Sequence, residues 1–319
     1  TRLLLVDDDP DLRRLFKAQL ARAEFEVDLA EDGREGVQLA RAREYDLIVA
    51  DVNMPRLDGW GMLRELRADY RTREIPVIFL SAHDDYRETL QAARCGAWDY
   101  LPKTGRADVV IDRAQAALGP RRRAAADLRE GLPGEMDMGL LGPRWLLRTL
   151  GRQRSTGVLA ARDEWASYRI AVRGGAPVLA RANAAGRETS GVSAVGAFLV
   201  SRGATGEFTP QAVEDPATFD VAMEDLLDAT CAALNELEAR AASDQIRQAG
   251  TVEVDGDLYQ LYRRVASDRD LMIARALCEE KLPAQQLAAH LQLPPEIVEA
   301  GIADLLRRRV IRFARPGGG

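Results

Sequence analysis

Histidine is almost missing from this chain: His83 and His290 are the only two in 319 residues, so a His-rich metal site or a histidine triad has almost no material. Cysteine is as scarce. Cys95, Cys231 and Cys278 are an odd count without metal-ligand spacing, and reduced thiols in a cytoplasmic protein are the expectation. No apolar run approaches the roughly 20 residues of a membrane span, and Thr1-Arg2 leads straight into a strand-like run with no signal-peptide pattern. Lysine is rare as well. Of 44 basic residues, all but Lys17, Lys103 and Lys281 are arginines, so a lysine at a strand end marks a place that suits a compact ammonium better than a planar guanidinium. The net charge of -6 argues against general nucleic-acid binding and leaves room only for a local basic patch.

What is present begins with 46% hydrophobic and 29% charged residues, enough for two or three domains with real cores. In the first 103 positions, four short apolar runs each end in a hydrophilic group. Leu3-Leu4-Leu5-Val6 leads to Asp7-Asp8, Leu47-Ile48-Val49-Ala50 to Asp51, Val77-Ile78-Phe79-Leu80 to Ser81, and Trp98-Asp99-Tyr100-Leu101 to Lys103. Short apolar runs bounded by turn residues are how strands buried on both faces read. With a further strand at Glu26–Leu29 and amphipathic stretches at Asp11–Arg22, Gly33–Arg43, Gly59–Ala68, Asp85–Arg94 and Asp108–Leu118, the pattern predicts a five-stranded, doubly wound parallel α/β sheet. The C-terminal strand ends of such a sheet collect in one crevice. Three carboxylates, a hydroxyl and an ammonium gathered there suit a hard divalent cation and a phosphoryl group. Singly, each element has a plainer reading: Asp7-Asp8 as a helix cap, Ser81 as a turn residue, Tyr100 as packing.

Together they carry a resemblance. Val6-Asp7-Asp8-Asp9, Asp51-Val52-Asn53-Met54-Pro55 with Asp58-Gly59, Leu80-Ser81-Ala82, and Gly96-Ala97-Trp98-Asp99-Tyr100-Leu101-Pro102-Lys103 resemble, in order, the receiver domain of two-component response regulators of the chemotaxis-regulator type. The resemblance implies that Asp51 accepts a phosphoryl group as an acyl phosphate, with Mg²⁺ held by Asp7, Asp8, Asp51 and the Asn53 backbone carbonyl. It implies that Lys103 pairs with Asp51 and then with a phosphoryl oxygen. It further implies that Ser81 donates to another such oxygen, beside the small Ala82, and that Tyr100 then turns from solvent toward the core. His83, close to Ser81, is a candidate modulator of phosphoryl lifetime. The upstream partner implied is a histidine kinase, or acetyl phosphate as a small donor, and a receiver-mediated homodimer remains open. One departure stands out: Thr104 follows Lys103 where receivers usually carry proline, which leaves the loop behind the lysine undetermined.

Beyond this receiver at 1–118, Gly119-Pro120 and Gly131-Leu132-Pro133-Gly134 bracket an expected linker at 119–134. Residues 135–245 read as an α+β domain. A helix opens at Pro143, strands run over Thr156–Ala160, Tyr168–Val172 and Pro177–Ala180, a weak helix over Gly191–Ser201, a strand over Gly206–Thr209, and a long helix over Phe219–Ala242. Gly139-Leu140-Leu141, Trp145-Leu146-Leu147, Thr156-Gly157-Val158-Leu159, Gly174-Gly175-Ala176-Pro177 and Gly206-Glu207-Phe208 resemble, more loosely, the PATAN type of domain, which implies a protein-interaction output rather than an enzyme. Residues 246–319 read as helices at Tyr259–Val265, Leu271–Glu279, Ala284–Leu291 and Pro295–Arg309 with a strand at Val310–Phe313, a small winged-helix-like unit. If Pro295–Arg308 were a recognition helix, Glu296, Glu299 and Asp304 would sit where base edges and phosphates are met, while Arg307, Arg308, Arg309, Arg312 and Arg315 would crowd the far end. A protein-binding output is therefore expected, a DNA-binding transcriptional regulator is the first alternative, and a phosphorylation-independent receiver adaptor is the second.

Overall fold

The computed structural model describes residues 1–81, 92, 95–103, 107–201, 203–241, 252–308 and 310–313. The expected helix at Asp85–Arg94, together with Ala82, His83 and Thr104, lies outside the described residues, Ala92 excepted. The chain divides into two compact units, 1–125 and 126–319.

In the first unit five strands, β1 (Arg2–Val6), β2 (Glu26–Ala30), β3 (Leu47–Asp51), β4 (Val77–Ser81) and β5 (Asp99–Pro102), pair in parallel in the order β2-β1-β3-β4-β5. The apolar runs read from the sequence are the central strands, and Leu3 to Val6 are fully buried. Each such side chain contributes roughly 1.5–3 kcal/mol relative to exposure. Alternate side chains face opposite layers. Leu3, Leu5, Leu47 and Val49 pack against Phe16 and Leu20 of α1 (Pro10–Arg22) and Val110 and Ala114 of α4 (Ala107–Glu130). Leu4, Val6, Ile48 and Ala50 pack against Val37 of α2 (Gly33–Ala42) and Met62, Leu63 and Leu66 of α3 (Gly59–Ala68). Asp9, Asp32 and Asp58 cap the first three helices by accepting hydrogen bonds from first-turn amides.

The expected linker is largely helix. α4 continues through Pro120 to Glu130, although an interior proline loses a backbone donor and costs about 3 kcal/mol. Ala- and Arg-rich stretches on both sides favour helix, and the buried Arg121 donates to the Glu74 carbonyl at 2.8 Å. The helix stops where Gly131 takes φ 68°. Its amide and that of Leu132 donate to the carbonyls of Leu128 and Asp127, a Schellman-type close.

The second unit contains a six-stranded antiparallel sheet in the order β10-β9-β8-β7-β11-β6. β7 (Gly157–Arg162), β8 (Ser167–Arg173), β9 (Ala176–Ala184) and β11 (Thr205–Pro210) match the expected runs. β6 (Gly134–Asp137) and β10 (Arg187–Ser190) were not expected, because short polar strands at a sheet edge carry no alternation of apolar residues. Gly174 and Gly175, both at positive φ, make the β8–β9 turn. The helices α5 (Met138–Leu141), α6 (Pro143–Arg152), α7 (Val192–Leu199) and α8 (Met223–Ala241) accompany the sheet.

The C-terminal segment holds α9 (Gly256–Val265), α10 (Asp268–Cys278), α11 (Ala284–Leu291) and α12 (Pro295–Arg307), with β12 (Val252–Val254) pairing antiparallel to β13 (Ile311–Phe313). It belongs to the same compact unit as the six-stranded antiparallel sheet, which differs from the expectation of a separate module. α12 packs on α8. Trp165, in the β7–β8 turn, meets Tyr262 edge-on at 6.1 Å and carries Arg308 over its ring at 4.9 Å. Arg187 pairs with Asp255 and with Asp257, the latter at 2.8 Å.

Candidate functional site

The crevice at the C-terminal strand ends of the first unit is built by strand length and pairing. β1 and β3 lie side by side, so the residues that follow Val6 and Ala50 emerge together: Asp7, fully buried, and Asp51, 5% exposed. Asp8 is exposed beside them. Carboxylate oxygens of Asp7, Asp8 and Asp51 all lie within 4.8 Å of one another. β4 ends in the buried Ser81. Its carbonyl accepts the Lys103 amide at 2.6 Å, which extends the β4–β5 pairing by one residue and sets where the lysine starts. From there the ammonium reaches Asp51 Oδ2 at 2.7 Å and Asp7 Oδ2 at 2.8 Å. The lysine therefore reaches both carboxylates from a position set by backbone pairing.

The remaining oxygens are held by the backbone. Asp7 Oδ1 accepts the Asp9 amide at 2.9 Å, and Asp51 Oδ1 accepts the Asn53 amide at 3.2 Å. Arg13 of α1 donates to the Asp7 carbonyl. Gly59 lets α3 start against β3: a Cβ there would stand 2.5 Å from the Asp51 carbonyl oxygen.

Burial pushes the Asp7 carboxyl above the usual carboxylate range, against the lowering influence of Lys103 and the Asp9 amide. Burial alone would lower the Lys103 ammonium, but its hydrogen bond to Asp51 and the close negative charge of Asp7 outweigh it and raise it. The lysine is thus firmly cationic. Three carboxylates against one ammonium leave the cluster negative. Asp7 Oδ2 faces the ammonium but accepts no well-directed hydrogen bond. An oxygen-only donor set with a net negative charge and an under-satisfied buried oxygen fits a hard divalent cation.

The sequence-predicted residues Asp7, Asp8, Asp51 and Lys103 are brought together, with Asn53 and Ser81 at the ends of the adjoining backbone. Tyr100 departs from expectation. It is already 8% exposed, within the core cluster that includes Phe79 and Met62, rather than turned toward solvent. Strand pairing aligns it with Phe79, which itself lies 4.8 Å from the Trp60 ring, so this face of β5 is an aromatic core position. Sequence reading missed Arg56, whose guanidinium pairs with Asp32 and with Glu31, the latter at 2.5 Å. No local signal announces a partner more than twenty positions away.

Residues 3–115 match the family of response regulator receiver domains. The DNA-binding dual master transcriptional regulator RpaA of Synechocystis is 37% identical over 117 residues, 37% of this chain and 48% of its own length. The response regulator MprA of Mycolicibacterium vanbaalenii is 37% identical over 126 residues, 40% of this chain and 52% of its own length. The chain therefore spans about half the length of the curated relatives it matches. Among solved structures, the response regulator TrrA of Thermotoga maritima, in complex with Mg²⁺ and BeF, is 30% identical, with 36% of this chain and 97% of that chain covered and a TM-score of 0.33.

Proposed function

We propose that this chain is a phosphorelay response regulator in which Asp51 accepts a phosphoryl group and thereby switches a protein-interaction output carried by residues 126–313. The observation that carries the reading is the convergence of Asp7, Asp8, Asp51 and Lys103 on one crevice in a domain of the receiver family.

A carboxylate is a weak nucleophile, so transfer needs an activated donor and neutralised charge. The donor is a histidine kinase phosphohistidine or a small acyl phosphate. An Asp51 carboxylate oxygen forms the new bond to phosphorus as the bond to the donor atom breaks. Lys103, cationic and already 2.7 Å from Asp51, is placed to shift onto a phosphoryl oxygen as a point charge. The Ser81 hydroxyl, at the neighbouring strand end, donates to a second. Mg²⁺, held by Asp7, Asp8, Asp51 and the Asn53 carbonyl, would supply the remaining charge neutralisation. The added charge of roughly −1.5 to −2 is what a coupled surface would read.

Duplex binding through α12 is not favoured. Gly301 to Leu306 are buried in succession around the whole helix, so its second half is core and has no face to lay in a groove. Arg308, at its end, is occupied by Asp304 at 3.1 Å and by the Trp165 ring. The DNA-binding activity in one relative's name belongs to a protein matched over 48% of its length. Protein partners fit this output better.

Intact mass after incubation with acetyl phosphate tests the reading. The wild type is expected to gain one phosphoryl group in a Mg²⁺-dependent way and Asp51→Asn to gain none. An unchanged yield in Asp51→Asn would overturn the assignment of the acceptor.

A further inference from the structure

The loop between β3 and α3 has an anchor outside the crevice. At Arg56 the chain takes φ 65°, the left-handed region that a non-glycine residue enters only when held there. The Leu57 amide donates to the Pro55 carbonyl at 2.7 Å, closing a three-residue γ-turn centred on Arg56. The guanidinium then reaches back across the unit to the start of α2. One arm pairs with Glu31 at 2.5 Å, and the Nε pairs with Asp32, a carboxylate only 2% exposed that also caps α2 through the Glu35 amide. A second tie runs beside it: the Gly33 amide donates to the Leu57 carbonyl at 3.1 Å. That approach is possible because position 33 has no side chain, since a Cβ would stand 2.4 Å from the Leu57 oxygen.

These ties engage the Val52, Pro55 and Leu57 carbonyls and do not use that of Asn53. The Val52 carbonyl accepts the Gly59 amide at 2.8 Å, and those of Pro55 and Leu57 are taken as described. Among the described residues none donates to the Asn53 carbonyl. The loop is therefore pinned on both sides of the oxygen that the metal site needs, and no described residue engages that oxygen.

From this we propose that Arg56 is a positioning residue for the divalent-cation site: clamped on Asp32 and Glu31, it holds the 52–58 loop so that the Asn53 carbonyl is presented at a distance and angle that satisfy Mg²⁺. The inference rests on the phosphoryl-site reading above. Its physical basis is the strictness of Mg²⁺, which demands near-octahedral oxygens at about 2.0–2.1 Å, whereas Ca²⁺ accepts irregular shells at about 2.3–2.6 Å. A loosened loop therefore penalises Mg²⁺ selectively.

The test is calorimetric titration of the full chain with Mg²⁺ and, separately, Ca²⁺. Arg56→Gly removes the clamp while relieving the left-handed strain, so strain does not confound it. Asp32→Asn keeps the helix cap and removes the clamp's charge. Each variant is expected to lose roughly 10- to 100-fold in Mg²⁺ affinity, the range seen when an outer-shell partner is removed, with a clearly smaller loss for Ca²⁺. The double variant is expected to lose no more than the worse single one, because both substitutions break the same contact. Arg56→Lys, which cannot fork to both carboxylates, carries the same prediction at smaller amplitude if Arg56→Gly folds poorly. Unchanged Mg²⁺ affinity in Arg56→Gly, or equal losses for Mg²⁺ and Ca²⁺, would overturn the clamp alone. A wild type that binds no Mg²⁺ would overturn the phosphoryl-site reading and the clamp with it.

Discussion

Asp7 shows what a single buried carboxylate does to the whole first unit. Its carboxyl titrates above the ordinary carboxylate range because burial opposes its charge, so the folded state binds a proton more readily than the unfolded chain. A raised folded value means that this stabilisation is present below the unfolded pKa and is lost as pH rises through the folded one. Metal-free protein is therefore expected to gain resistance to urea as pH falls through the folded value of Asp7 toward the ordinary carboxylate range. Asp7→Asn should abolish that gain, and a gain that persisted would show that another group causes it. At this scale most of the site was legible. Asp7, Asp8, Asp51 and Lys103 were readable because each follows an apolar run, and a buried parallel strand leaves no other place for a charge than its end. Arg56 was not legible, since its partners Glu31 and Asp32 lie on another βα unit. Nor was the inward position of Tyr100, which depends on its pairing with Phe79.

At the level of elements, periodicity located the strands of the first unit and the bodies of its described helices, and it failed where a local rule was overridden. Gly119-Pro120 reads as a stop, yet α4 continues to Glu130. The proline penalty of about 3 kcal/mol is offset by good helix formers on both sides and by the buried Arg121. Pro120→Ala should accordingly raise stability by about 1–3 kcal/mol without changing helix content. Paired urea and circular-dichroism curves check this, and a destabilised variant would mean that the proline shapes a bend the fold requires. The edge strands β6 and β10 were missed for the complementary reason. They have little apolar surface to bury, and pairing with β11 and β9 alone makes them strands.

At the scale of the whole molecule, the C-terminal helices are a layer of the second unit rather than a free module. Trp165 is the hinge pin of that arrangement: 8% exposed, against Tyr262 and under Arg308, with Tyr262 donating to Asp304 at 3.0 Å. Trp165→Ala should cost about 3–5 kcal/mol and raise hydrogen exchange in 256–307 more than in 1–125. Uniform change across the chain would argue against a local layer. The amino-acid sequence by itself determined the receiver sheet, the convergence of its charged strand ends and the amphipathic helices downstream, because burial on one or two faces writes its period directly into the chain. Only the tertiary structure decided that residues 301–306 of α12 are buried, that Trp165 packs on Tyr262 and under Arg308, and that Arg56 ties the loop after β3 to Glu31 and Asp32. Each of those depends on contacts between segments whose separation along the chain carries no local pattern.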